Sequence, residues 1–189
     1  TDPSSPSLCI LRTFQRAQSV GDRIDSLHMD ERIQELRDRL ANSTDTATQG
    51  DIHVELSKAL IDTAPEEAIG EAKRAFRIAR LRKDPLAMAT ALVARGVAHE
   101  RLSDHNAALT HLRKGLDLVR DEDAPDIVAQ ALQQIGIVKT NSGDVVAAIE
   151  VLDQALEKAA ETGDELREAS IHNSCGVAWF QIGHHGRAL

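Results

Sequence analysis

Residues 89–116 read ATALVARGVAHERLSDHNAALTHLRKGL, and residues 129–156 read AQALQQIGIVKTNSGDVVAAIEVLDQAL. The second stretch is a near copy of the first, 40 residues further on. Gly96 is followed twelve residues later by Ala108, Gly136 by Ala148, and Gly176 by Ala188. A fixed period of this size marks a chain built from stacked supersecondary units, each burying its apolar face against the next. Each unit reads as two helices, and the second carries a stripe of small or apolar residues. The stripes are Ala68, Ala72, Ala75 and Ala79; Ala108, Leu112, Gly115 and Val119; and Ala148, Leu152, Ala155 and Ala159. Spacings of four, three and four put each set on one face of a helix.

The punctuation follows the same period. Asp104 and Asp144 stand where a carboxylate can cap the start of a second helix. Gly143 and Gly183 are expected to supply the tight turn before it. Asp84-Pro85, Ala124-Pro125 and Gly163-Asp164 separate the units. Helices are therefore expected over 51–62, 65–82, 86–102, 105–120, 125–142, 145–161 and 165–182, with another beginning near 185.

Upstream, residues 1–7 are polar and rich in Pro and Ser and read as a disordered lead. Residues 8–49 read as N-terminal helices, one over 8–20 and one over 22–41. Met29, Ile33, Leu36 and Leu40 form a stripe one residue out of step with the others, as a degenerate repeat would. The repeats proper occupy 50–189, in units of about 51–83, 86–122, 125–162 and a truncated 165–189. The chain begins at Thr1 and stops inside a unit, as a piece of a longer polypeptide would.

Composition agrees with an all-α protein. Of the 189 residues 42% are hydrophobic and 2% aromatic, and helix formers dominate. The net charge of −8 argues against nucleic acid or an anionic membrane as the main partner. Cys9 and Cys175 do not read as a disulfide framework, which suits a reducing, cytoplasmic setting. No apolar run approaches the ~20 residues of a membrane helix.

A helix pair recurring at this interval resembles the tetratricopeptide (TPR) repeat. The resemblance rests on Leu92, Gly96, Ser103, Ala108 and Leu112. It rests also on Leu132, Ile135, Gly136, Gly143, Ala148, Leu152 and Ala155, and on Cys175, Gly176, Trp179, Gly183 and Ala188. It covers about 50–189, with departures: His99 and Lys139 stand where an aromatic is usual, and Leu56 replaces the first-helix Gly. The long period resembles that of regions in bacterial regulators, including those preceding GGDEF (diguanylate cyclase) domains and those of peptide-pheromone receptors.

The resemblance implies an all-α solenoid of antiparallel helix pairs in a right-handed superhelix, its concave face lined by first helices. Carried over, it places Thr90, Val93, Val97 and Glu100 on that face in one unit. The next unit supplies Gln130, Gln133, Gln134, Ile137 and Asn141, and the last Ser170, Asn173, Val177 and Gln181. Most of the polar ones are uncharged amides, which donate and accept at once and so suit the backbone of an extended peptide. Almost no Lys or Arg stands among them, so a clamp for a C-terminal carboxylate is not expected.

The implied partner is a protein or peptide segment, from another chain or the same polypeptide, and the implied role the regulatory region of a larger bacterial signalling protein. The rival reading is a self-association module that forms a homodimer through its uncapped end, near Trp179, Phe180 and Ile182. The basic run Lys73, Arg74, Arg77, Arg80, Arg82 and Lys83, and the twelve acids against three bases over 121–168, read as solvated outer faces. His172, Cys175, His184 and His185 include zinc-ligand types. By the repeat register, however, His172 and Cys175 match Leu132 and Ile135, and His184 matches the cap Asp144. No phosphate loop, nucleophile elbow or metalloprotease motif is present. Neither catalysis by this stretch nor a cofactor is expected.

Overall fold

The computed structural model describes residues 27–120 and 122–186. The polar lead 1–7 and the helix expected over 8–20 lie outside them. The described residues form eight helices and no strand. They are α1 (27–42), α2 (Thr46–Leu60), α3 (Pro65–Arg82), α4 (Pro85–Arg101), α5 (His105–Leu118), α6 (Pro125–Asn141), α7 (Val145–Ala160) and α8 (Glu165–Gly186). None is long and apolar enough to cross a membrane.

The helix ends have local causes. α2 begins at Thr46, ahead of the expected 51, because Asp45 caps it: its Oδ2 accepts from the Thr48 amide at 2.8 Å and from Thr48 Oγ1 at 2.6 Å. Asp84 and Asp104 cap α4 and α5, accepting from the amides of Ala87 at 3.0 Å and Ala107 at 3.1 Å. Asp144 holds the equivalent place, but its carboxylate takes Lys139 Nζ at 2.7 Å instead of closing a side-chain cap. Gly143, at φ +87°, makes the tight turn expected of it, and Ser103 adopts the same left-handed turn at φ 57° one unit earlier. Gly183 does not turn. α8 runs through it to Gly186, so residue 184 sits inside a helix and not at a cap. A glycine costs about 1 kcal/mol inside a helix, which does not by itself end one.

All three second-helix stripes are buried. Ala68, Ala72, Ala108, Leu112, Ala148, Leu152, Ala155 and Ala159 have no exposed surface, and Gly115 is buried with them. Gly96 and Gly136 are needed where the paired helices cross. A Cβ on Gly96 would lie 2.6 Å from Leu112 Cγ, and one on Gly136 2.5 Å from Leu152 Cγ. In each pair a leucine of the second helix fills a notch in the first. The earlier unit reverses the sizes: at the matching positions Leu56 stands on α2 and Ala72 on α3, both buried. The missing glycine is thus answered by a missing leucine. α1 buries Ile33 and Leu36 in one cluster with Ile52 and Leu56 of α2 and Ala68 and Ile69 of α3, extending the stack at its N-terminal end.

Contacts between helices define two rows. Each helix from α2 onward packs on the next in sequence. Beyond that, α2 touches α4, α4 touches α6, and α6 touches α8, whereas α3, α5 and α7 do not touch one another. The first helices therefore form the tight inner row of a solenoid and the second helices its open outer row. Neither row includes an element out of sequence order, so every core cluster is made from neighbours in the chain.

Candidate functional site

The inner row carries most of the residues expected to face a ligand. On α4, Thr90, Val97 and Glu100 are half-buried; on α6, Gln130, Gln134 and Ile137 are half-buried and Asn141 is exposed. On α8, Ser170, Asn173 and Val177 are exposed and Gln181 is half-buried. Asn141 Nδ2 donates to Glu100 Oε1 at 2.7 Å, tying α6 to α4 across the row. Thr90 spends its hydroxyl on the Leu86 carbonyl of its own helix, at 2.9 Å.

Two of the thirteen belong to the packing. Val93 is 1% exposed and sits in the core with Ala108, Leu112, Ala131 and Ile135. Gln133 is 6% exposed, and its Nε2 donates to Ser170 Oγ at 2.9 Å and Ser174 Oγ at 3.3 Å. Both lie on the edge of the expected stripe that turns toward a neighbouring helix. Gln133 is thus an inter-unit bolt between α6 and α8. Of the eleven remaining, only Glu100 is charged.

The outer side carries polar groups that periodicity missed. In the 40-residue register, positions 95, 135 and 175 are equivalent, as are 111 and 151. Ile135 and Cys175 are buried at the first, and Val151 packs against the core at the second. Arg95 and His111 occupy those apolar positions on α4 and α5, and Glu55 and Glu71 occupy them one unit earlier. The signal available in the sequence was this break in the repeat, a polar residue standing where the other copies are apolar.

The two polar layers differ in how they are satisfied. Glu71 is 7% exposed and fully engaged: Oε2 meets His53 Nδ1 at 2.6 Å, and Oε1 accepts from Arg74 Nη1. Glu55 Oε2 accepts from Arg39 Nη1 at 3.3 Å. In the next layer His99 and His111 stack with ring centroids 5.2 Å apart. Arg95 Nε, His99 Nε2 and His111 Nδ1 are all buried with no hydrogen-bond partner. The one acid beside them is Asp104, whose Oδ2 lies 3.6 Å from His99 Nδ1. Burial, then the charges of Arg95, His99, Lys114 and Lys73, push His111 down to about 4. Burial also lowers His99, with Asp104 opposing and Arg95 and Lys73 reinforcing.

No protein-family model matches the chain, and no curated protein matches it.

An outer groove of about 710 Å³ lies between α5 and α7 over the start of α6, bounded by Arg113, Leu116, Leu132, Gln154 and Glu157. Its walls mix apolar residues with charges of both signs, and it singles out no ligand. The basic residues of α3 stand in solvent apart from local ion pairs, Arg74 with Glu71 and Arg82 with Asp84.

His172 was expected to pack like Leu132. It is exposed instead, because no helix follows α8 among the described residues to cover that side. Cys175 does pack like Ile135, at 9% exposed, and burial pushes its thiol up, away from the reactive thiolate. Among the described residues no three His, Cys, Asp or Glu side chains are grouped so as to hold a metal.

Proposed function

We propose that this chain is a TPR-type scaffold that binds an extended protein or peptide segment along its inner row. The observation that carries this reading is the stripe of Gln130, Gln134 and Asn173, accessible amides on adjacent helices, on a face with almost no charge. Amides spaced along such a row can pair with successive backbone groups of an extended chain. The reading assigns no catalysis and no cofactor to these residues. By the same resemblance, the scaffold acts as the cytoplasmic regulatory region of a larger bacterial signalling protein, with a diguanylate cyclase as one such effector.

The test is to pan a random-peptide library against residues 1–189 and then measure the enriched peptides on a Gln130→Ala, Gln134→Ala, Asn173→Ala variant. Each lost hydrogen bond is worth about 1 kcal/mol, so binding is expected to fall about tenfold to a hundredfold with unchanged helical circular dichroism. Gln133 stays intact in this variant because its loss would disturb packing. Peptides that bind the variant as tightly as the parent would end the proposal.

One observation favours a second reading, self-association. α8 exposes Leu166 at 85%, Val177 at 48%, Trp179 at 58% and Phe180 at 67%. Exposed large apolar side chains concentrated on one helix are candidates for a contact site. On this reading the chain is a dimer by light scattering across a concentration series, and Trp179→Glu makes it a monomer. A parent that is monomeric throughout disposes of this reading.

A further inference from the structure

We infer that Arg95, His99 and His111 form a binding site for a phosphate-class oxyanion on the outer side of the solenoid, between α3 and α5. Three observations carry it. First, Arg95 and His111 stand at repeat positions that are apolar in the later units, as Ile135, Cys175 and Val151. A stacked repeat needs no charge there, and placing one there costs desolvation. Residues that break a local rule at a cost to packing are where function concentrates.

Second, three nitrogens of the cluster, Arg95 Nε, His99 Nε2 and His111 Nδ1, are buried without partners. Buried polar groups in folded proteins are nearly always paired, and each exception calls for an explanation, of which a bound ion is one. Third, the preceding unit solves the same problem with the charges reversed. At the positions of Arg95 and His111 it has Glu55 and Glu71, and each of these has its own cationic partner, Arg39 for Glu55 and Arg74 for Glu71. Among the described residues Arg95 has no such counter-ion, and the acid paired in this layer, Asp104, sits beside His99. Lys73 from α3 and Lys114 from α5 add further positive charge, felt at His111. What this layer lacks is therefore an anion.

The ligand class follows from the donors. A guanidinium presents a planar fork suited to phosphate or carboxylate, and two imidazoles become donors on both nitrogens once protonated. Arg95, His99 and His111 are each half-buried, so the layer is within reach of solvent. Burial first, and the cationic neighbours after it, hold His111 at about 4; an anion seated there offsets the second of these, so binding takes up protons. The groups that set this linkage are Arg95, His99, Lys73, Lys114 and Asp104.

The experiment is an NMR titration of the imidazole nitrogens in residues 1–189, with inorganic phosphate added against sodium chloride of equal ionic strength. The expected result is saturable shifts at His99 and His111, and titration midpoints of both raised by a unit or more at saturating phosphate. Arg95→Gln is expected to abolish both. Free phosphoserine is run in parallel. Saturation by inorganic phosphate alone assigns a free ion, and saturation by both assigns a phosphoryl group carried on a larger molecule.

Shifts that chloride reproduces, or that Arg95→Gln retains, overturn the proposal. A second variant guards against a purely structural role. Arg95→Ile with His111→Val restores the residue types of the next unit, and is expected to raise the melting temperature while losing the phosphate response. A lower melting temperature with intact helicity would make the cluster part of the packing and refute the site.

Discussion

Gly136→Leu is expected to destabilise the chain severely, and Leu152→Ala in the same molecule to recover much of the loss. A Cβ at position 136 already falls 2.5 Å from Leu152 Cγ and 2.6 Å from Cδ2, so the larger side chain has no room while Leu152 stays. Overpacking by a few methylenes costs about 1–3 kcal/mol, and a whole leucine belongs at or above the top of that range. Leu152→Ala alone empties a fully buried site and should cost about 2–5 kcal/mol.

Together the two changes recreate the arrangement of the first unit, where Leu56 and Ala72 stand at the matching positions. Residues in contact routinely couple by about 0.5–3 kcal/mol. Urea denaturation followed by circular dichroism reads all four corners of the cycle. A double variant no more stable than Gly136→Leu alone would show that helix crossing, not side-chain volume, decides the choice at this position.

Glu71→Ala is expected to cost about 1–3 kcal/mol, whereas Glu71→Val with His53→Val is expected to be close to neutral. The single change removes a buried acceptor and leaves His53, itself 12% exposed, without its partner. Each change has a precedent in a later unit, position 93 being a buried Val in one and position 151 a packed Val in another. Replacing a buried charged set by well-packed apolar residues is often neutral or better. Arg74, at 50% exposed, can turn to solvent in either variant. Thermal unfolding of both variants tests this. A double variant as unstable as Glu71→Ala would mean the polar set does more than satisfy itself.

The readable part of this fold was its period. One buried stripe per second helix, repeated at a constant interval, was enough to place α3, α5 and α7 and the Gly96 and Gly136 crossings. The unread part lay at the edges of those patterns. The resemblance placed Val93 and Gln133 on the inner face, and a carried-over register marks a face only to within one side chain. Which way its border residues turn depends on the rotation from unit to unit, and no local spacing encodes that.

Elsewhere the same rules failed for other reasons. α8 outran its expected end because a lone glycine costs a helix only about 1 kcal/mol and is a weak stop signal. The polar layers around Glu71 and His111 escaped notice because a search for apolar periodicity passes over the positions where it lapses. Comparing the copies residue by residue would have found them, since Arg95 against Ile135 and His111 against Val151 are visible in the letters alone.

The gap between second helices has a mechanical meaning. Units whose first helices meet along one edge, and whose second helices stand apart along the other, open like the leaves of a book, with the α2, α4, α6 and α8 row as the spine. Such a body is stiff against compression at the spine and compliant to fanning at the fore-edge. If the inner row binds a strand as proposed, whatever props α3 and α5 apart, or draws them together, is expected to change the pitch at which the spine offers its amides. A small object at the fore-edge would then set the grip of a surface it never touches.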